Sequence, residues 1–227
     1  MVIMTAIAIV ATFWVQEARM ERQMAASGDR AFIPQQRLPV SIIGDSYTVG
    51  VGASSNRGYI AQVCRELDWQ CQTDAQRGTG YTTSGFVDDN AQPYAARLGQ
   101  VIDRQPSVVV VQGGTFDSDA SFEAIAAAAQ DVFSTLTSQI PAAKIIAVGT
   151  TNPPGIRFGR EIIVRDAIAY AAANTGVAFV DPIAEGWLDP TIDYITADNL
   201  HPNDIAYEKY AQRWIADMRT LGAAGPA

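Results

Sequence analysis

The sequence predicts an α/β domain: a three-layer α/β/α sandwich built on a five-stranded parallel sheet. Three observations carry that reading. Short apolar runs recur five times from residue 38 onward, and one of them is the unbroken stretch Val108–Val111, the pattern of a strand buried on both faces. Amphipathic stretches separate these runs, long enough for the helical crossovers that parallel strands require. The chain of 227 residues, 48% hydrophobic and 18% charged, can bury a core without disulfide or metal staples.

The elements follow in chain order. Residues 38–43 (LPVSII) read as the first strand, ending on Gly44. Residues 59–67 read as a helix, with Ile60, Val63 and Leu67 at helical spacing. Residues 69–73 form a short second strand, and 93–104 a helix with Pro93 in its first turn. Residues 107–112 hold the β-branched run of the third strand. The helix over 120–140 aligns Phe122, Ile125, Ala129, Val132, Leu136 and Ile140 on one face. Residues 144–148 (KIIAV) and 177–180 are the fourth and fifth strands, with a helix over 160–175 between them. The last helix, 203–221, presents Tyr207, Tyr210, Trp214, Met218 and Leu221 to the core. The sandwich therefore spans 36–222, and the tail 223–227 is expected to be disordered.

Residues 1–30 stand outside this domain. The near-apolar run Val2–Val15 would reach about 21 Å as a helix, short of a bilayer core of about 30 Å. Its length suits the apolar core of a signal peptide, so the expectation is a signal peptide or signal anchor. No Lys or Arg precedes the run and no clean Ala-x-Ala site follows it, so a helix packed on the domain stays open. The first reading makes the protein exported, either secreted or anchored in the cell envelope with residues 2–15 as a membrane tether. Cys64 and Cys71, seven apart, are either two buried thiols or, in an exported chain, a disulfide.

Charge and composition exclude several functions. The formal charge is −8, from 24 acidic against 16 basic residues, which disfavours nucleic acid as a partner. Two cysteines and a single histidine cannot form a Cys/His zinc cluster. Asp88-Asp89-Asn90 lacks further acids at calcium-ligand spacing and reads as a solvated turn. The glycines at 78, 80, 113 and 114 do not complete a dinucleotide fingerprint. No metal or cofactor is expected.

In open parallel sheets, sites form at the carboxyl ends of the strands. The loops that matter are then 44–50, 74–85, 112–119, 149–158 and 181–203. The first carries Gly44-Asp45-Ser46-Tyr47-Thr48. Ser46 is either a hydroxyl presented on the rim beside backbone N–H groups or a helix N-cap. The last carries Asp198-Asn199-Leu200-His201-Pro202. An Asp and a His three apart can meet within one turn, carboxylate to Nδ1, which fixes the tautomer and supports an imidazolium; the alternative is a surface turn capped by an aspartate. Any mechanism needing an imidazole must use His201.

Together these blocks resemble the SGNH (GDSL) hydrolase family over residues 38–221. Gly44-Asp45-Ser46-Tyr47 resembles its first block, Arg77-Gly78-Thr79-Gly80-Tyr81 its second, and Asp198-x-x-His201 its last. The resemblance implies a flavodoxin-like SGNH hydrolase fold and a serine esterase, a carboxylic ester hydrolase. It implies Ser46 as nucleophile, His201 as base and then acid, and Asp198 as the group orienting His201. The N–H groups of Ser46 and Gly80 would hold the oxyanion. Asp45 is given a structural role. The implied substrates are small carboxylic esters, with O-acetyl or short-chain acyl groups on carbohydrate or lipid-like molecules. An O-acyltransferase acting on a cell-envelope glycan, or an impaired glycan-binding module, are the alternatives.

One block departs. The family has Gly-x-Asn-Asp after the third strand, where the asparagine donates to the oxyanion. Here the stretch is Gly113-Gly114-Thr115-Phe116-Asp117, and Phe116 stands at the amide's position. One such donor is worth about 2.7–4 kcal/mol, or roughly 10²–10³ in rate. Thr115 is the candidate replacement; otherwise the third donor is dispensable or the enzyme is impaired. Tyr47, Phe116, Asn152 in the loop after the fourth strand, and Trp187 before Asp198 are candidates for the substrate pocket. Trp187 either walls a cleft or packs its loop down, and Trp214 reads as core.

Overall fold

The computed structural model describes residues 36–225, apart from 56, 86–89, 157–158 and 194–197. Five strands, β1 (Leu38–Gly44), β2 (Trp69–Ala75), β3 (Val108–Gln112), β4 (Lys144–Val148) and β5 (Ala178–Val180), form one parallel sheet in the order β2-β1-β3-β4-β5. Val40 of β1 lies opposite Cys71 of β2 on one side and Val108 of β3 on the other. The chain moves outward from β1 to β2, then crosses back over β1 to β3. That reversal is the topological switch point, and the crevice it opens lies beyond the carboxyl end of β1.

Six helices accompany the sheet: α1 (Ser46–Val49), α2 (Tyr59–Glu66), α3 (Leu98–Asp103), α4 (Phe122–Gln139), α5 (Arg160–Thr175) and α6 (Asp204–Thr220). Strand side chains alternate between faces. Val108 and Val110 join Val40, Ile42, Ile146 and Val148 in one core, beneath Tyr59 of α2 and Tyr207, Tyr210 and Trp214 of α6. Val109 and Val111 join Ile43, Ile145 and Ala147 in the other, with buried side chains of α3, α4 and α5. Both faces are covered, which is why the β3 sequence shows no alternation. Buried alanines, Ala126 and Ala129 on α4 and Ala167 and Ala171 on α5, let those two helices pack closely.

The elements read from sequence are present, with two differences. The helix expected over 93–104 begins as a 3₁₀ turn, Tyr94–Arg97, before α3. Three residues per turn place Tyr94 and Arg97 on the same side, and both are buried. Of the tail 223–227 expected to be disordered, residues 223 and 225 bond to the domain, and 226–227 lie outside the described residues. The buried Trp69 indole donates to the Ala223 carbonyl at 2.6 Å, and the Gly225 N–H donates to the Leu67 carbonyl at 2.8 Å. A buried indole N–H needs an acceptor, and the tail supplies it. Cys64 and Cys71 form a disulfide that ties the last turn of α2 to β2. Residues 1–35, including the apolar run, lie outside the described residues; among those described, no helix is long and apolar enough to cross a membrane.

Candidate active site

The site begins where β1 stops. Asp45 caps α1, its carboxylate accepting from the Tyr47 N–H at 2.9 Å, so Ser46 becomes the first helical residue at the switch point. Gly44 has to be glycine for this turn. A Cβ there would meet Thr48 Oγ1 at 2.0 Å. The Ser46 N–H opens the helix, where no preceding turn supplies it an acceptor.

His201 and Asp198 reach Ser46 from the loop before α6. His201 Nε2 lies 2.7 Å from Ser46 Oγ, and His201 Nδ1 lies 2.7 Å from Asp198 Oδ2. With the Nδ1–H donated to the carboxylate, Nε2 is left to accept the serine hydroxyl. Asp198 Oδ1 also accepts from the N–H groups of Leu200, at 2.9 Å, and His201, at 3.1 Å. Burial alone would push this carboxyl up, but the His201 imidazole and the two N–H groups outweigh it. The net effect holds Asp198 below the ordinary carboxylate range, ionised at neutral pH.

The loop carrying the pair is braced on three sides. The Tyr47 hydroxyl donates to the Leu200 carbonyl at 2.8 Å, and the Gly155 N–H to the Asn199 carbonyl at 2.8 Å. Gly52 packs against the back of the histidine, where a Cβ would meet the Pro202 carbonyl at 2.5 Å and His201 Cβ at 2.9 Å. Ser54 fixes that contact by donating its N–H and hydroxyl to the Asp204 carboxylate at 2.7 and 2.6 Å.

The opposite side of Ser46 is built from the loops after β2 and β3, and Asp117 is its pin. Asp117 is fully buried. Its carboxylate accepts from the N–H groups of Tyr81, Thr82 and Thr83 at 2.8, 2.9 and 3.1 Å, and from the Thr82 hydroxyl at 2.7 Å. Arg97 supports the same loop from below. It pairs with Asp74 at 2.7 Å and donates to the Gly44 carbonyl and Thr79 Oγ1 at 3.3 and 3.2 Å.

Several expected roles change on this side. The Gly80 N–H donates to the Thr83 carbonyl at 3.0 Å, so in this state it is engaged within its own loop. Gly78, two residues earlier and also buried, donates its N–H to no described residue. The Thr115 hydroxyl is buried and engaged with the loop after β4, 2.9 Å from Thr150 Oγ1 in a bond that either hydroxyl can donate. Phe116 is half-buried, its carbonyl accepting from Thr83 Oγ1 at 2.9 Å.

Two pocket candidates turn out to be packing residues. Tyr47 is 1% exposed, at the centre of a cluster with His201, Tyr207 and Tyr210. Trp187 is 2% exposed, edge-on to Tyr210, with its indole N–H donated to Glu185 Oε2 at 2.8 Å. Both are large amphipathic rings with an apolar neighbour and a hydrogen-bond partner, which is why burial wins. Asn152 is half-buried in the loop after β4, between Thr151 and Gly155, which both touch the triad's frame.

Asp45 is the second acid beside Ser46, and it behaves unlike Asp198. It is fully buried, and no described residue donates to its Oδ2. The Gln112 amide, with its NH₂ oriented inward, donates to Oδ1 at 3.3 Å. Burial pushes this carboxyl up to about 7, against the pull of the Tyr47 N–H and Gln112 bonds.

The comparisons agree with the geometry. The GDSL-like Lipase/Acylhydrolase family model matches residues 42–209. The chain belongs to that family. A GDSL lipase of Mycobacterium tuberculosis is 26% identical over 197 residues, covering 82% of this chain and 84% of that one. The crystal structure of TesA superposes with a TM-score of 0.67 at 18% identity, over 81% of this chain and 99% of that one. A family two carbohydrate esterase from Clostridium thermocellum, in complex with cellohexaose, superposes with a TM-score of 0.64 at 20% identity, over 84% of this chain and 66% of that one. This GDSL-type chain is thus a serine ester hydrolase on the SGNH α/β fold.

Arg97 and Gly155 are functional residues that the sequence reading does not single out. Arg97 leaves a signal, a charge among Tyr94, Leu98 and Val101 on an otherwise apolar face. Gly155 leaves none, since it acts through one backbone bond across the fold.

Proposed function

We propose that the protein is an exported serine esterase that removes O-acetyl or short-chain acyl groups from carbohydrate or lipid-like esters through an acyl-enzyme on Ser46. The observation that carries this reading is the unbroken chain Ser46 Oγ, His201, Asp198, with both contacts at 2.7 Å. Ser46 Oγ attacks the ester carbonyl as His201 Nε2 takes its proton. The imidazolium, held by ionised Asp198, returns that proton to the leaving alcohol. Water then repeats the sequence on the acyl-enzyme. In this reading the Ser46 N–H, at the open end of α1, holds the oxyanion, and the Gly80 N–H joins it on release from the Thr83 carbonyl.

The substrate class is supported by the fold shared with a carbohydrate esterase. Export is supported by the disulfide, which persists in oxidising compartments, and by the apolar run at residues 2–15 as a signal or membrane tether. Phe116 in place of an amide favours a second reading, a glycan-binding module that hydrolyses poorly or not at all.

The test is the initial hydrolysis rate of p-nitrophenyl esters, acetyl to octanoyl, by the wild type and by Ser46→Ala. Hydrolysis is expected to favour the shortest esters and to fall by about 10⁴-fold or more in the variant. Equal rates from the two proteins, together with no labelling of Ser46 by a fluorophosphonate, would overturn the esterase reading and leave the binding module. Adding a sugar alcohol to the same assay separates transfer from hydrolysis.

A further inference from the structure

Tyr47 occupies an unusual place for the residue next to a nucleophile. Its ring is buried, centred 5.8 Å from the His201 ring. Its hydroxyl sits between two rim loops. It accepts from Thr151 Oγ1 at 3.0 Å and donates to the Leu200 carbonyl at 2.8 Å. Thr151 follows β4, Leu200 directly precedes the histidine, and Tyr47 directly follows the serine. One buried hydroxyl therefore joins the segments bearing both reacting groups to a third loop that bears neither.

The His201 loop needs such a tie. Asn199 has a φ of 53°, in the left-handed region that asparagine enters more readily than most residues with a side chain, so the turn is sharp and its carbonyls point outward to partners. Asp198 holds the Leu200 and His201 N–H groups from within the turn, while two of its carbonyls are held from other loops. Those two carbonyls, Asn199 and Leu200, are the ones taken by Gly155 and Tyr47. A phenylalanine would keep the ring packing but leave the Leu200 carbonyl and the Thr151 hydroxyl without their shared partner.

The structure assigns the Tyr47 hydroxyl as a positioning group that sets the His201 imidazole against Ser46 through the Leu200 carbonyl, with Thr151 orienting the hydroxyl. This rests on the esterase reading for its kinetic consequence, though not for its structural one. Tyr47 is buried against the imidazole ring, so it is assigned as a positioning residue acting through His201. Its effect is expected in kcat, with KM unchanged.

His201 is the only histidine in the sequence, so its imidazole signals in an NMR spectrum need no assignment. The experiment compares wild type, Tyr47→Phe, Thr151→Val and Thr151→Ser in the full chain. Two readouts are taken well below the unfolding transition: the Nδ1–H signal of His201, and kcat and KM for p-nitrophenyl acetate. Tyr47→Phe is expected to broaden or shift the Nδ1–H signal and lower kcat by about tenfold at unchanged KM. Thr151→Val is expected to do the same in smaller measure, and Thr151→Ser to restore the wild-type signal and rate. An unchanged signal in Tyr47→Phe would overturn the proposal, as would a lowered melting temperature with kcat intact. If Tyr47→Phe fails to fold, the valine and serine variants decide the matter by the same criteria. If the wild type hydrolyses no ester, the esterase reading falls while the imidazole signal still tests the placement.

Discussion

The two sides of Ser46 are built by different means. On one side, His201 and Asp198 act through side-chain atoms whose chemistry has few substitutes. On the other, the loops after β2 and β3 present backbone N–H groups that every residue but proline owns. The first side matches the family pattern residue for residue. The second departs from it twice, at Phe116 and at the inward-turned Gly80 N–H. The difference teaches that proton transfer constrains residue identity, whereas oxyanion binding constrains only where a donor points.

The largest expected effect breaks the first side. Asp198→Asn keeps the shape of the turn but removes the charge that supports the imidazolium and the acceptor that fixes its tautomer. kcat is expected to fall by about 10²–10⁴-fold at unchanged KM. The Asp198 side chain is half exposed, so water screens part of the charge and the lower end of that range is expected. Steady-state kinetics on p-nitrophenyl acetate checks this, and a loss under fivefold would mean that another group orients His201.

A smaller effect is expected on the second side. Phe116→Asn restores the amide at the position where the family carries one. If the site works with backbone donors alone, a third donor is expected to raise kcat by about tenfold, below the roughly 10²–10³ that a fully aligned donor commands. The shortfall is expected because a newly introduced side chain is not aligned by its surroundings as an evolved donor is. A variant no faster than wild type would show that Phe116 does not border the oxyanion.

The same asymmetry explains what was legible in the sequence. β-branched runs, helical spacing and the only histidine beside an aspartate located the sheet, the helices and the catalytic chain. Sequence position says less about Gly80, Thr115, Tyr47 and Trp187, because their surroundings are set by hydrogen bonds and burial. Gly80 is engaged by Thr83, Thr115 by Thr150, and Tyr47 by Leu200, while Trp187 is buried. Asp117 stands in the block after the third strand, but its part in shaping residues 81–83 is readable only where those N–H groups converge on it. The ordered tail is the same lesson in the core, because nothing in residues 222–225 announces that Trp69 needs an acceptor.

The last contrast is between the two acids that flank the nucleophile, and it is read in stability while leaving the rate aside. Asp198 is held below its ordinary range and Asp45 is pushed up to about 7, so their contributions to stability have opposite signs. Asp198 stabilises the fold above the ordinary carboxylate pKa and loses that contribution as pH falls. Asp45 binds its proton more tightly when folded than when unfolded, where its value is 3.8. Its contribution is therefore complete below about pH 4 and is lost as pH rises toward 7, a fall on the order of 3–4 kcal/mol. Asp45→Asn keeps an oxygen for the Tyr47 N–H and removes the ionisation. Urea unfolding between pH 4.5 and 7.5 is expected to show wild-type stability declining relative to the variant across that window. Because other groups titrate equally in both proteins, the difference between the two curves isolates Asp45. Parallel curves would mean that the carboxyl beneath Ser46 is ionised at low pH, and that the two acids are alike in charge as well as in their closeness to the nucleophile.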